Sequence, residues 1–349
     1  MIDPLTLIFL SSGLFLGWAL GSNDAANVFG TAVGTKMVKW RTAAIICSVF
    51  VILGAVISGA GASHTLGKLG AISALPGAFM TALSAAVAVY TMTKSGLPVS
   101  TSQAIVGAII GWNLFSSNPT DGSTLATIVT TWVVCPLLSG VIAIGLLKAL
   151  KFASKQGKVH LIRADAYTRL GLILAGAFGA YSLGANNIAN VVGVFIPAQP
   201  FSDIQLGTMV FSSTQQLFLL GALAIALGVF TYSKGVMMTV GDGLGRLSPT
   251  SALVAVTAHS IVLFLFASRG LEAWLSSHGL PTIPLVPVSS SQAVVGAIVG
   301  ISILQGTTGI RWSVLRNIVA GWVATPFVAG ILCFIGLFFL QNVFGLQVQ

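Results

Sequence analysis

The chain has 349 residues, of which 55% are hydrophobic and only 7% charged, with 40 glycines and a mean hydropathy of +0.97. No water-soluble domain of this size has that profile, so the sequence is read as an all-α polytopic membrane protein. The formal charge of +9 does not indicate nucleic acid, because the basic residues are scattered over short connections and form no basic face.

Apolar segments recur near residues 5–34, 42–60, 74–93, 97–115 and 124–147, then near 170–197, 207–230, 250–268, 286–305 and 314–343. The first carries Asp3, lacks a basic leader and has no convincing cleavage site, which makes it a membrane helix and not a signal peptide. With Met1 outside, 14 of the 16 Lys and Arg fall in inner connections, and only Lys68 and Arg269 fall outside. The positive-inside rule therefore predicts ten crossings in the cell membrane with both termini outside. Cys47, Cys135 and Cys333 lie in apolar runs and form no metal or disulfide framework.

Within the first segment, GSNDAAN at 21–27 places Asn23, Asp24 and Asn27 at hydrocarbon depth. A carboxylate there is costly unless it has a partner. A second copy, GANNIAN at 184–190, supplies Asn186, Asn187 and Asn190. Interhelical hydrogen bonding is the structural use of such residues. Two matched clusters exceed that need, and hard oxygens from a carboxylate, amides and freed backbone carbonyls suit a small alkali cation.

The fourth segment opens with PVSTSQAIVGAIIG at 98–111, and PVSSSQAVVGAIVG at 287–300 repeats it. Hydroxyls at 100–102 and 289–291 read as N-caps behind a proline stop. The 14 residues from Ser102 to Phe115 reach about 21 Å, short of a ~30 Å hydrocarbon core. Each copy is therefore expected as a half-helix that begins inside the membrane. Trp132 and Pro136 recur as Trp322 and Pro326, so three motif pairs follow in one order.

This order predicts two repeats, 1–160 and 161–349, each of five crossings, with the basic stretch Lys148 to Arg169 as the inner link. An odd number of crossings makes the second copy enter from the opposite face, an arrangement common in secondary transporters. Two half-helix N-termini then meet near the midplane and offer free N–H groups to an anion. Thr101, Ser102, Gln103, Ser290, Ser291 and Gln292 flank that point. No Lys or Arg lies at this depth, so co-bound cations would neutralise the anion and each would raise the other's affinity.

These motifs resemble the inorganic phosphate transporter (PiT) family, whose signature GANDxAN occurs in both halves, each followed by a PVSTTH-type segment. The resemblance covers nearly the whole chain. It implies sodium- or proton-coupled uptake of inorganic phosphate, with sodium ions as coupling ions and no other cofactor. It also implies cation sites at Asn23, Asp24, Asn27, Asn186, Asn187 and Asn190, and a phosphate site at Thr101, Ser102, Gln103, Ser290, Ser291 and Gln292. Two departures matter: Asn187 replaces the second Asp, and Gln103 and Gln292 replace a frequent His. Glutamine cannot titrate, which favours sodium over protons.

His64, His160 and His278 fall in connections and His259 in a span outside both motifs. The glycine-rich run at 234–247 lacks a nucleotide-loop pattern, and no catalytic constellation occurs, so an enzyme is not expected. The expected partners are phosphate, sodium and membrane lipids; GxxxG-like spacing such as Gly17 and Gly21 also permits packing within or between copies. The alternatives are proton-coupled phosphate or sulfate transport, and an ion channel.

Overall fold

The computed structural model describes residues 3–94, 99–156, 160–207, 209–243, 247–306 and 311–349; Pro98 of the repeated motif, and Lys158 and Arg246 among the basic residues counted inside, lie outside them. α1 (Pro4–Gly34) begins where the Asp3 side chain accepts from the Leu5 N–H and proline occupies the first helical turn. The first half continues with α2 (Trp40–Ser58), α3 (Ala60–Leu69), α4 (Leu75–Lys94), α5 (Thr101–Phe115) and α6 (Gly122–Gln156). The second half begins with α7 (Leu161–Val192), a 3-10 turn at Gly193–Phe195, and a hairpin of β1 (Ile204–Leu206) and β2 (Met209–Phe211). It ends with α8 (Ser213–Thr231), α9 (Ser233–Gly243), α10 (Pro249–Leu265), α11 (Arg269–Ser277), α12 (Ser290–Gln305) and α13 (Trp312–Asn342).

Among the described residues seven helices are long and apolar enough to cross a membrane, and α10 with α11, bent by 64°, count as an eighth if the pair forms one span. The protein is a multi-pass membrane protein. All ten expected segments contain a helix, but α5 and α12, with 15 and 16 residues, are half-helices as their length required. The link expected over 148–169 is mostly helical, because α6 runs on to Gln156 and α7 begins at Leu161. Its Lys, Ala and Leu content favours helix, and the His160 side chain caps α7 by accepting from the Ile162 N–H. The start expected for the seventh segment also changes: residues 204–206 pair antiparallel with 209–211, and Ser212 opens α8 with a capping box.

The packing exchanges partners between the halves. α1 packs on α8 and α9, while α7 packs on α2 and α3; α5 packs on α13, while α12 packs on α6. Swapping the two halves maps each of these pairs onto another, as a twofold relation between them would. Two matched glycines set close approaches of α5 to α13 and of α12 to α6: a Cβ on Gly107 would strike the Pro326 backbone, and one on Gly296 would strike the Pro136 backbone. Gly17 and Gly21 are used within the chain, against the α8 backbone at Gly221 and Ile225.

Candidate functional site

All twelve residues singled out in the two motif pairs are at most 3% exposed. Both polar clusters sit in the C-terminal half of a long helix, and both helices remain unbroken through them. The carbonyls at 21–27 and 184–190 therefore stay within the helices and are not freed as ligands. The extended residues before α5 and α12 present carbonyls instead.

In the α1 cluster, Asp24 Oδ1 accepts from Asn23 Nδ2 at 3.1 Å and from Asn27 Nδ2 at 3.2 Å. Asn23 also donates to the Val99 carbonyl at 3.2 Å, which ties the cluster to the lead into α5. Asn27 donates to Ser290 Oγ at 3.2 Å, which ties it to the first turn of α12 in the other half.

The α7 cluster is wired in the same sense. Asn190 Nδ2 donates to Asn187 Oδ1 at 2.8 Å and to Ser102 Oγ on α5 at 2.9 Å. Asn186 clamps the extended lead into α12, donating to the Val286 carbonyl at 3.0 Å and accepting from the Val288 N–H at 2.8 Å. Ser102 donates to the Val288 carbonyl at 3.0 Å, so the start of α5 touches the approach to α12.

The half-helices begin with matched caps: Ser100 Oγ accepts from the Gln103 N–H at 3.2 Å, and Ser289 Oγ from the Gln292 N–H at 3.3 Å. Ser289 and Ser291 share a hydroxyl contact of 3.1 Å. Thr101 Oγ1, Gln103 Oε1, Gln292 Oε1, Asn187 Nδ2 and Asn190 Oδ1 are buried without a hydrogen-bond partner. Buried polar atoms are nearly always paired, so a group of unpaired donors and acceptors at two helix starts marks a place where polar ligands can be held. The structure thus joins Asn23, Asp24, Asn27 and Ser290 in one network and Asn187, Asn190 and Ser102 in another. Thr101, Gln103, Ser291 and Gln292 border these networks without hydrogen-bonding to either cluster.

One residue of the site had no motif to reveal it. His259 on α10 is fully buried, and its Nε2 lies 2.9 Å from Ser290 Oγ. A network therefore runs from His259 through Ser290 and Asn27 to Asp24. The available signal was TAHS at 257–260 against TALS at 81–84, where His259 stands in place of Leu83.

Gln103 also lines an apolar cavity of about 610 Å³ between α5, α6 and α13, with Trp132, Trp322 and Phe327. Its lining includes Leu114 and Ile331, 68% and 60% exposed, so the cavity opens among lipid-facing apolar side chains and does not suit ions.

A “Putative phosphate permease” of Methanocaldococcus jannaschii is 27% identical over 322 residues, covering 92% of this chain and 93% of that protein. The “Sulfate permease CysP” of Bacillus subtilis is 29% identical over 332 residues, covering 90% of this chain and 82% of that protein. A solved structure described as “The sodium-dependent phosphate transporter” superposes with a TM-score of 0.79 at 23% identity, covering 98% of this chain and all of that one, and so shares the fold. The model described as “Phosphate transporter family” matches residues 20–333 and 280–347. With its paired polar helices and half-helices, the chain belongs to the Phosphate transporter family and is a transporter, not an enzyme.

Proposed function

We propose that the protein is a secondary active transporter that couples sodium to the uptake of inorganic phosphate by alternating access. The observation that carries this reading is the wiring of both amide clusters to the starts of both half-helices, through Asn27 with Ser290 and Asn190 with Ser102. Asn23, Asp24, Asn27, Asn186, Asn187 and Asn190 hold sodium. Thr101, Ser102, Gln103, Ser290, Ser291 and Gln292 hold phosphate, with the helix N-termini supplying positive potential. A cation bound to one set pulls on side chains that also contact the other, which is the physical form of coupling.

Residues 1–160 and 161–349 act as two inverted repeats that move against each other in the cell membrane, with both termini outside. Phosphate brings one to two negative charges and Asp24 another, so two or three sodium ions bring the site near neutrality. The test is labelled phosphate uptake into proteoliposomes under an inward sodium gradient or an inward proton gradient. Sodium-driven uptake supports the reading; uptake driven by protons alone overturns the sodium assignment.

A second reading is proton-coupled phosphate or sulfate transport. It is favoured by the likeness to a sulfate permease. Tetrahedral oxyanions differ little in shape, so competition by sulfate in the same uptake assay separates the substrates.

A further inference from the structure

Lys68 and Arg269 are the two basic residues that break the charge bias of the connections, and the fold brings them together. Both line a cavity of about 430 Å³, with Ser63, His64, Gly67 and Thr214. Its walls come from α3, the turn after α7, the start of α8 and the start of α11. Arg269 Cγ lies 3.6 Å from where a Cβ on Gly61 would stand, so its stem lies along α3.

Among the described residues the one ion pair is Arg169 with Asp165, so neither cation is neutralised by a carboxylate. Asp203, an acid in the α7–α8 connection, is engaged by the Ser213 N–H at 2.8 Å, and Glu272 lines neither this cavity nor the next. That next cavity shares Ala60 and Arg269 with the first and reaches Tyr181 and Ala185. Ala185 directly precedes Asn186 of the α7 cluster.

We propose that this basic cavity is a vestibule that collects the transported oxyanion at the outer face, a second and weaker anion site ahead of the buried one. The identity of the anion, inorganic phosphate or sulfate, rests on the reading above. Two unpaired cations in a concave wall raise the local concentration of an anion and its rate of arrival. Both side chains are exposed, so salt screens the effect over about 10 Å at 0.1 M. A vestibule of this kind steers and releases; it does not hold.

The first test reads the local potential without transport. Gly67 lines the cavity with nothing within 4 Å of a Cβ placed on it. The three native cysteines are buried, so Gly67→Cys provides the accessible thiol. Its reaction rates with an anionic and a cationic methanethiosulfonate are compared in the full-length protein in liposomes, with and without Lys68→Gln and Arg269→Gln. The anionic-to-cationic ratio is expected to fall about tenfold in the double variant at low ionic strength, and millimolar phosphate or sulfate is expected to slow the anionic reagent. A ratio unchanged by the double variant overturns the proposal.

The second test is uptake. Lys68→Gln with Arg269→Gln is expected to raise the phosphate KM several-fold at low ionic strength, leave kcat unchanged, and lose its effect in about 0.5 M inert salt. A fall in kcat at constant KM, or a defect indifferent to salt, assigns the two residues to structure and overturns the vestibule. If the native protein takes up neither phosphate nor sulfate, the functional reading fails, while thiol labelling still decides whether the cavity attracts anions.

Discussion

The α1 and α7 clusters share a pattern of small residues and amides, a clamp on an extended lead and a contact to a half-helix start, yet they differ in chemistry. Asp24 accepts from both neighbouring asparagines, whereas its counterpart Asn187 accepts from Asn190 and, at 3.5 Å, from Ser102, and leaves its own N–H group unpaired. Ser290, contacted by the first cluster, meets His259, whereas Ser102, contacted by the second, donates to a backbone carbonyl. The two matched frames therefore differ in one group, a carboxyl at Asp24 where the other has the amide of Asn187. A site built this way can hold unlike ions at like positions.

The largest effect is expected from erasing that difference. Asp24→Asn makes the clusters chemically alike and removes the carboxylate; coupled uptake is expected to fall about 10- to 150-fold, since hydrogen bonds to a charged group contribute about 1.5–3 kcal/mol each. Uptake and size-exclusion profile are measured together, and near-normal uptake by a folded variant refutes the role given to Asp24. Asn187→Asp sharpens the comparison from the other side by supplying the second carboxylate. It is expected to lower the sodium concentration for half-maximal uptake about tenfold, as a charge-assisted contact would.

A smaller effect is expected at the second point of difference. His259→Leu copies the first-half residue and removes the contact to Ser290. One hydrogen bond of about 1 kcal/mol predicts a phosphate KM about five- to tenfold higher, with recovery in His259→Gln because its amide can again meet the hydroxyl. The smallest lies at the entrances of the two long proline-containing helices. α6 is preceded by Asp121, which accepts from Thr124 Oγ1 at 2.6 Å and from the Ser123 N–H at 3.0 Å, whereas α13 opens at Arg311 without a side-chain cap. The Thr124 and Ser123 hydrogen bonds pull the Asp121 carboxyl down to about 2. Because its folded value is depressed, its stabilisation is present above the ordinary carboxylate range and is lost as pH falls through about 2. Asp121→Ala is therefore expected to lower the melting temperature slightly at pH 7 and to match the native protein in strong acid, while Arg311→Ala changes little at either pH.

The repeated features were legible because repetition doubles the signal. The half-helices followed from proline, hydroxyl caps and a length too short for the bilayer, and the clusters from a carboxylate where carboxylates are costly. α3, α9 and α11 were not foreseen, since 9 to 11 residues in glycine- and serine-rich connections carry too little apolar periodicity to stand out. The helical stretches at 148–156 and 161–169 were hidden by their charge, which reads as solvated linker although lysine is a good helix former. His259 escaped because the one-residue difference between TAHS and TALS gains meaning only from α10 lying beside the first turn of α12, a packing relation.

The exchange of partners between halves bears on how the molecule is made. α5 leaves the ribosome with its Gly107 face lacking the Pro326 backbone it will press against, and Asn27 leaves without Ser290. The N-terminal half is thus an incomplete object in the bilayer until synthesis of the rest is nearly finished. The same arrangement makes the halves natural complementing fragments: separately translated polypeptides divided near residue 158 would find each other through these mated surfaces, and neither would mature alone.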